Sequence, residues 1–351
     1  MHYVSPLSLV AGFILDTLFL ARRVDLFLTN ALLSSYLLIS ALAILLINLI
    51  QTGRLRHPFV VRALPLFPVV AQFAFGGLFS AYLSLYSRSA SIAVSWIFIV
   101  ALAALILLNE RFAHFYARFF VQVSLYFTVL FSFLIFFLPV IFHAIGPLMF
   151  LGSGALALAI IAVMLALLFR FLPELLVEGR LRRCTFAIGS IYLAFNILYF
   201  TGAIPPLPLA LKDAGVYHSV EREASGTYTL LGEALPWYEK FLNYQPRYHH
   251  VPGEPVYVWS AVFAPSGLST DILHRWQWFD PATGTWKTES TIRFPIFGGG
   301  DQGYRGYSEK SAVREGRWRV DVVTPYGQLL GRISFTIVNA ASNPPLIEFS
   351  K

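Results

Sequence analysis

Residues 119–142 read FFVQVSLYFTVLFSFLIFFLPVIF, a continuous apolar run without a charged side chain. A helix that crosses the hydrocarbon core of a membrane needs about 20 mostly apolar residues, so this run is predicted to be a transmembrane helix. The whole chain has the same character, because 57% of its 351 residues are hydrophobic and 13% are charged, against about 25% charged residues in ordinary soluble domains. This composition excludes a single soluble globular domain.

Six further apolar segments are transmembrane candidates. In chain order, the seven predicted spans are Tyr3–Leu20, Ala31–Ile50, Val60–Tyr86, Ala90–Leu108, Phe119–Phe142, Pro147–Phe169 and Thr185–Thr201. The first span is interrupted by Asp16. It has neither the basic start nor the small-residue cleavage site of a signal peptide, so we expect a retained helix. Residues 1–201 are accordingly predicted to form a seven-helix transmembrane domain.

The arginines of this region predict its orientation. Residues 1–201 contain twelve arginines, no lysine and five acids, whereas the rest of the chain has fourteen basic and fourteen acidic residues. Basic loops are retained in the cytoplasm. A cytoplasmic N-terminus puts nine arginines on the cytoplasmic side and leaves three, Arg22, Arg23 and Arg88, on the other. Seven spans then place the C-terminal part in the periplasm of a bacterial inner membrane.

Charged side chains inside a bilayer are costly and are functional candidates for that reason. Asp16 is the intramembrane candidate, either as a proton or cation site or as the partner of a neighbouring arginine. Glu110, His114 and Arg118 follow one another at a spacing of four residues, so on a helix they share one face. Such a row either relays protons or forms ion pairs at the cytoplasmic membrane edge, and the second interpretation is favoured.

The composition changes after Thr201, where closely spaced prolines begin. Residues 202–250 are predicted to be a proline-containing linker followed by a mixed segment. Residues 251–340 contain short runs of strand-forming residues at about 8–12-residue spacing, a pattern typical of an all-β, immunoglobulin-like sandwich, and residues 341–351 form a tail. Six of the seven tryptophans lie after residue 201, which favours an aromatic core.

One predicted strand can be followed residue by residue. In Arg317–Val323 the apolar residues Trp318, Val320 and Val322 alternate with charged residues. This alternation is typical of a half-buried strand. Trp318 is therefore expected in the core of the sandwich.

A glycine-rich segment supplies the predicted partner-binding site. The segment that begins at Gly298 matches the G-x-G-x-x-G pattern, but it lies among strands, without the following helix that dinucleotide binding requires. It is interpreted as an exposed loop that extends to Tyr307 and presents Tyr304, Arg305 and Tyr307 near Gly300. Tyrosine and arginine are favoured at interface hot spots. The alternative is that Arg305 pairs with an acid of its own domain and the tyrosines pack beneath the loop.

The chain contains no recognised catalytic motif. It has no nucleophile elbow, HExxH helix, P-loop or paired-cysteine zinc site, and Cys184 is its one cysteine. Apart from one adjacent pair, the soluble part's histidines lack the spacing of metal ligands; the candidates considered are His218, His249, His250 and His274. The sequence therefore predicts no metal, no cofactor and no catalytic residue.

The C-terminal part resembles a known bacterial family. The residues that carry this resemblance are His274-Arg275-Trp276, Tyr304 to Lys310, Gly316 to Val320 and Gly327 to Phe335. In this order they are similar to a bacterial C-terminal domain of unknown function, number 2914, which is found after a multi-span membrane region in proteobacterial proteins. The resemblance covers about Val251–Val338. It implies a periplasmic domain and no particular activity.

Three hypotheses for the function follow. The favoured one is a non-enzymatic inner-membrane protein whose periplasmic β-domain binds a macromolecular partner, as an accessory subunit or assembly factor of an envelope or membrane complex. The expected partner is a protein or membrane complex, with a glycan as the second type, and the helices contact the lipid bilayer. The alternatives are a small-molecule or lipid transporter or sensor that uses the helical bundle, and a membrane enzyme acting on lipid or glycan. No nucleic-acid partner is predicted, because the excess of basic residues belongs to the membrane region.

Overall fold

The computed structural model describes residues 26–89, 92–111, 118–175, 178–234, 247–300 and 303–351. The chain divides into two compact units, Met1–Pro208 and Leu209–Lys351. The described part of the first unit is mainly helical and that of the second is mainly β. The first predicted span, with Asp16, lies outside the described residues.

Long helices build the first unit. In chain order they are α1 (Phe27–Gln51), the short α2 (Pro58–Arg62), α3 (Leu66–Ser89), α4 (Ile92–Arg111), α5 (Phe119–Phe142), α6 (Pro147–Phe171) and α7 (Glu178–Phe200). Among the described residues, α1, α3, α5, α6 and α7 are long and apolar enough to cross a membrane, and α4 contains the shorter apolar stretch Ser95–Ile106. The prediction of an N-terminal region with several apolar helices is therefore confirmed.

Buried polar groups and a glycine join these helices. The side-chain amide of Asn48 in α1 donates a hydrogen bond of 2.7 Å to Oε1 of Gln122 in α5, and both side chains are buried. The hydroxyl of Tyr82 in α3 donates to a backbone carbonyl of α5. A Cβ atom at Gly77 would lie 2.7 Å from the Tyr36 ring, so glycine allows α1 and α3 to approach closely. Such contacts replace the hydrophobic effect as the basis of helix association in lipid.

The described residues of the second unit form eleven strands. They are β1 (Ala210–Tyr217), β2 (Ser219–Arg222), β3 (Tyr228–Glu233), β4 (Arg247–His250), β5 (Val256–Phe263), β6 (Ser269–Asp280), β7 (Thr285–Phe297), β8 (Tyr304–Lys310), β9 (Gly316–Val323), β10 (Leu329–Asn339) and β11 (Leu346–Ser350). Three sheets result, with strand orders β1-β5-β8, β4-β10-β9-β6-β7 and β11-β3-β2. The strand pairs are antiparallel except β4 and β10, which are parallel.

The main β core lies between the β1-β5-β8 sheet and the five-stranded sheet. It contains the fully buried Trp276, Trp318 and Phe335. Val258 of β5 faces this core, whereas the next residue, Trp259, belongs to a second cluster with residues of β2 and β3. The β1-β5-β8 sheet is therefore the middle of three layers, because successive residues of a strand point to opposite faces.

The alternation predicted for β9 is confirmed. Trp318, Val320 and Val322 are fully buried, and the residues between them lie on the opposite face.

A bulge interrupts β7, where Trp276 pairs with Ser290 but Gln277 pairs with Thr288.

The β unit extends beyond the predicted sandwich domain in both directions. Residues 202–250, predicted as a linker and mixed segment, contain β1 to β4, and the predicted tail contains β11. β1 pairs with β5 and β11 pairs with β3, so the backbone groups of these segments find partners inside the unit. The boundary between the two units follows Pro208, so the prolines after Thr201 precede the β unit.

Candidate functional site

Three of the predicted partner-binding side chains lie in a strand instead of a loop. β8 begins at Tyr304, includes Arg305 and Tyr307, and pairs antiparallel with β5. The prediction of an exposed loop from Gly298 to Tyr307 is therefore wrong for its second half. The physical reason is that aromatic residues favour strands and that pairing with β5 satisfies their backbone groups.

Strand geometry separates these side chains onto two faces. Arg305 and Tyr307 share the face directed toward the β11-β3-β2 sheet, because the Tyr307 ring centroid lies 6.4 Å from that of Tyr228 in β3. Tyr304 lies on the other face, and its ring centroid is 6.1 Å from that of Phe297. The structure therefore brings Arg305 and Tyr307 together and places Tyr304 apart.

Tyr307 belongs to a group of tyrosines that the sequence did not single out. Its ring centroid lies 6.1 Å from that of Tyr257 on β5, and the Tyr228 hydroxyl donates a hydrogen bond of 3.3 Å to the backbone carbonyl of Arg305. Tyr307 is 41% exposed, whereas Tyr228 is buried. We call Tyr228, Tyr257, Arg305 and Tyr307 the tyrosine surface. Its buried base and exposed ring resemble the anchors found in interfaces.

The hydroxyls of Tyr228 and Tyr257 are neutral hydrogen-bond donors at physiological pH. Burial raises the pKa of Tyr228, and the nearby Arg222 guanidinium opposes that rise only in part. Burial and the neighbouring Glu309 carboxylate raise the pKa of Tyr257. The surface therefore offers rings and hydroxyls together with the positive charge of Arg305.

The glycine segment before β8 is anchored by its backbone. The amide of Gly298 donates a hydrogen bond of 2.9 Å to the carbonyl of Leu268. A Cβ atom at this position would lie 1.8 Å from the carbonyl oxygen of Pro265, so close packing requires glycine there. Gly300, in contrast, has open space around its Cα hydrogens. Of the predicted partner-binding residues, Gly300 is the one that lies in a described loop.

His274 lies between two serines in the interior of the β unit and links its two main sheets. Nε2 of His274 lies 2.8 Å from Oγ of Ser260, and its Nδ1 lies 2.8 Å from Oγ of Ser308. The Trp276 indole also donates to Ser308, at 3.0 Å. The spacing matches that of a serine nucleophile and its base, but all four residues are buried. Burial lowers the pKa of His274 to about 3. The neutral ring therefore joins β5, β6 and β8 instead of contacting a substrate.

Glu233 binds two of the remaining histidines. Its Oε1 lies 3.2 Å from Nε2 of His218, and its Oε2 lies 2.8 Å from Nδ1 of His249. Burial acts to raise the pKa of the Glu233 carboxyl, but the hydrogen bonds from both histidines outweigh it and lower the pKa. Across the described parts of the chain, no group of three histidine, cysteine or acidic residues is arranged to hold a metal ion.

The predicted row of Glu110, His114 and Arg118 is not one continuous helical face. Glu110 lies in α4, as far as that helix is described, whereas Arg118 has an extended backbone immediately before α5 (φ −90°, ψ 117°). The row therefore does not extend to Arg118, because a new helix begins after it. His114 and Asp16 lie outside the described residues.

These features define a chain with several apolar helices followed by a β-sheet domain. Its C-terminal part, after the helical region, matches the family model described as "Protein of unknown function (DUF2914)" over residues 269–337. The match begins at the first residue of β6 and ends in β10. It confirms the resemblance that was based on residues between His274 and Phe335.

Comparison with whole proteins adds little to this family match. No curated protein matches the chain. Among solved structures, the chain is similar to "Pseudomonas fluorescens alkylpurine DNA glycosylase AlkC bound to DNA containing an abasic site analog", with 10% sequence identity and a TM-score of 0.23 over 90% of this chain and 99% of that chain. Nothing about this chain follows from a similarity at that TM-score.

Proposed function

We propose that this chain is a non-enzymatic integral protein of a bacterial inner membrane whose periplasmic β unit binds a macromolecular partner. It acts as an accessory subunit or assembly factor of an envelope or membrane complex. The tyrosine surface carries this proposal, because its Tyr307 ring is 41% exposed and rests on the buried Tyr228. Arg305 extends the same face. Tyrosine and arginine side chains dominate the binding energy of protein interfaces.

The proposed topology has seven spans, of which Tyr3–Leu20 is the first, and a cytoplasmic N-terminus. The Arg54 guanidinium donates two hydrogen bonds, of 3.1 and 2.7 Å, to Oε1 of Glu174. The connections after α1 and after α6 therefore meet at one end of the helical unit. Arg54 and Arg56 lie in the first connection, and Arg170 of α6 and Arg180 of α7 flank the second. Arginines at this end favour its retention in the cytoplasm, which supports a periplasmic location for the C-terminal unit.

Reporter fusions test this topology. Alkaline phosphatase is active only after export, so a fusion after Lys351 is expected to be active and a fusion after Arg182 inactive. Activity is normalised to the amount of each fusion on an immunoblot. The reverse pattern of activity would contradict the orientation, and activity of both fusions would contradict the assignment of α7 as a span.

We also propose that two of the sheets form an immunoglobulin-like sandwich. In such a sandwich, strands A, B and E belong to one sheet and strands C, F and G to the other. The order β1-β5-β8 corresponds to A-B-E, and the order β10-β9-β6-β7 corresponds to G-F-C-C′. The fully buried Trp276 lies on β6, the strand in position C, where immunoglobulin domains carry a core tryptophan. The β11-β3-β2 sheet is then an addition to the sandwich.

Substitutions in the tyrosine surface test partner binding. The full-length protein is purified from native membranes, as the wild type and as the double variant Arg305→Ala/Tyr307→Ala. We expect the variant to lose about tenfold or more of a stoichiometric protein partner with an unchanged melting temperature. Tyr326→Ala is the matched control, because Tyr326 is another exposed tyrosine of the β unit.

Other results of this purification would contradict the proposal. A large fall in melting temperature would mean that Arg305 and Tyr307 hold the unit together, as in the alternative of residues packed within their own domain. Absence of any stoichiometric partner, with a lipid or solute bound between the helices instead, would favour the transporter or sensor hypothesis.

A further inference from the structure

The outer face of the five-stranded sheet carries a concentration of arginines. On β9, Arg317 and Arg319 point away from the core because they alternate with the buried Trp318. Cross-strand pairing brings Arg275 of β6 and Arg332 of β10 to the same face, since both pair with Asp321 of β9. All four arginines lie in the segment matched by the family model.

Aromatic rings hold two of these arginines in fixed positions. The Arg317 guanidinium carbon lies 3.6 Å from the ring centroid of Phe279, and that of Arg319 lies 4.3 Å from the ring centroid of Trp286. Nε of Arg319 also donates a hydrogen bond of 2.7 Å to Oε1 of Gln277. A guanidinium stacked on a ring keeps its N–H edge available for an oxyanion. Because the side chain is already ordered, binding costs less conformational entropy.

The face has more arginines than carboxylates. Asp321 accepts two hydrogen bonds from Arg332, of 2.6 and 2.9 Å, and Asp271 is paired with Arg293. Both carboxylates are thus already neutralised. Within the described residues, no carboxylate forms an ion pair with the remaining three arginines of the face, namely Arg275, Arg317 and Arg319. The Arg332–Asp321 pair shows how a carboxylate is bound on this face.

We propose that this arginine face, defined by Arg275, Arg317, Arg319 and the rings of Phe279 and Trp286, binds an acidic, extended segment of a protein partner. Arg317 and Arg319 are two residues apart on one strand, which separates them by about 6.6–6.8 Å. Alternate side chains of an extended segment have the same spacing. Aspartate or glutamate at every second position therefore matches both stacked guanidinium groups. The inference rests on the proposed function and specifies the partner's chemistry.

The arrangement favours a linear ligand over a planar anionic surface. The stacked arginines follow the direction of β9, and the carboxylates of Asp271 and Asp321 lie on the same face. Arg293 and Arg332 are already paired with these carboxylates. The guanidinium groups left for a ligand are therefore concentrated along β9, where an extended segment contacts Arg317 and Arg319 together. A guanidinium fork binds a carboxylate in bidentate geometry, as it also binds a phosphate, so the linear arrangement is what distinguishes the two ligands.

A defined peptide tests this surface on the full-length protein in nanodiscs of neutral lipid. The probe is a fluorescein-labelled peptide of alternating glutamate and threonine, and the matched peptide has glutamine in place of glutamate. Fluorescence anisotropy is expected to detect binding of the glutamate peptide and at least tenfold weaker binding of the glutamine peptide. Arg317→Gln/Arg319→Gln should weaken the glutamate peptide at least tenfold.

Two further variants distinguish the specific contribution of this surface to peptide affinity from the effect of net charge. Lys287→Gln/Arg314→Gln removes the same amount of charge from the same unit and should change affinity less than twofold. Arg317→Lys/Arg319→Lys keeps the charge but not the planar fork and should still weaken binding at least threefold. If the Lys287/Arg314 variant loses as much peptide affinity as Arg317→Gln/Arg319→Gln, net charge alone explains the effect and the proposal is overturned.

The remaining outcomes distinguish this inference from the proposed function. Failure of the wild type to bind the glutamate peptide overturns the arginine face. The proposal is also overturned if the wild type binds phosphatidylglycerol vesicles but not the peptide, and if Arg317→Gln/Arg319→Gln abolishes that vesicle binding. A natural partner that co-purifies equally with this variant and with the wild type overturns the arginine face while the proposed function stands. If no partner co-purifies with the wild type, the proposed function fails. The peptide measurement alone then determines whether the arginine face binds acidic segments.

Discussion

Replacing Trp318 with alanine is expected to lower the free energy of unfolding of the β unit by about 3–5 kcal/mol. The side chain is fully buried between the two main sheets, and its ring centroid lies 6.4 Å from that of Trp276 in an edge-to-face arrangement. Its indole N–H donates a hydrogen bond of 2.8 Å to the carbonyl of Arg314. The substitution therefore leaves a cavity and removes the donor for that carbonyl. A loss of this size is a large part of a domain's total stability.

Urea unfolding followed by tryptophan fluorescence measures this loss in the full-length protein. Six of the seven tryptophans lie after residue 201, so the signal reports mainly on the β unit. Trp286→Ala is the control. Its ring lies on the outer face beneath Arg319, where losing a cation–π contact costs about 1 kcal/mol. An unchanged midpoint for Trp318→Ala, or equal losses in both variants, would contradict the assignment of Trp318 to the core.

The core could be predicted because it depends on local alternation. The buried side of β9 follows from the period of two in Arg317–Val323, and the buried Trp276 and the partly buried Trp278 likewise fall on one side of β6. Apolar length alone predicted the long helices that the structure describes, but it merged the short α2 with α3 in the single span Val60–Tyr86. The same alternation places Tyr257 between the buried Val256 and Val258, so this member of the tyrosine surface could have been found from the sequence.

The candidate sites were less predictable because they depend on pairing between distant strands. Alternation puts Arg317 and Arg319 on one face, but only the register of β6, β7 and β9 brings Phe279 and Trp286 beneath them. The start of β8 was missed for a different reason. Glycines before Tyr304 suggested a continuing loop, whereas the pairing with β5 that makes a strand involves residues far away in the chain.

Acid is expected to destabilise the β unit through His274. Burial lowers the pKa of this ring to about 3 in the folded protein, whereas histidine in an unfolded chain has a pKa of about 6.5. Between these values the unfolded state binds a proton that the folded state does not, so unfolding becomes more favourable as the pH falls. This contribution to stability is fully present above about pH 6.5, and roughly 2–3 kcal/mol of it is lost by about pH 4.5.

A leucine variant isolates the contribution of this ring from that of other acid-sensitive groups, such as Glu233. Urea unfolding at pH 7.5 and pH 4.5 should show a pH-dependent loss that is about 2–3 kcal/mol smaller in His274→Leu than in the wild type. The variant is also less stable at pH 7.5, because Ser260 and Ser308 lose a buried partner. His249→Gln, at a partly exposed histidine, should keep most of the wild-type pH dependence.

Proton binding to His274 can also be observed without any substitution. His274 has two serine partners and the Phe294 ring beside it, and none of these groups carries a charge that would stabilise an imidazolium ion. In protein with ¹³C-labelled histidine, its ring resonances should therefore stay unchanged from pH 7.5 to pH 4.5 while those of exposed histidines shift. A titration of His274 near pH 6 in the folded protein would mean that water reaches the ring. The Ser260–His274–Ser308 network would then be an accessible site instead of a tie between the two sheets.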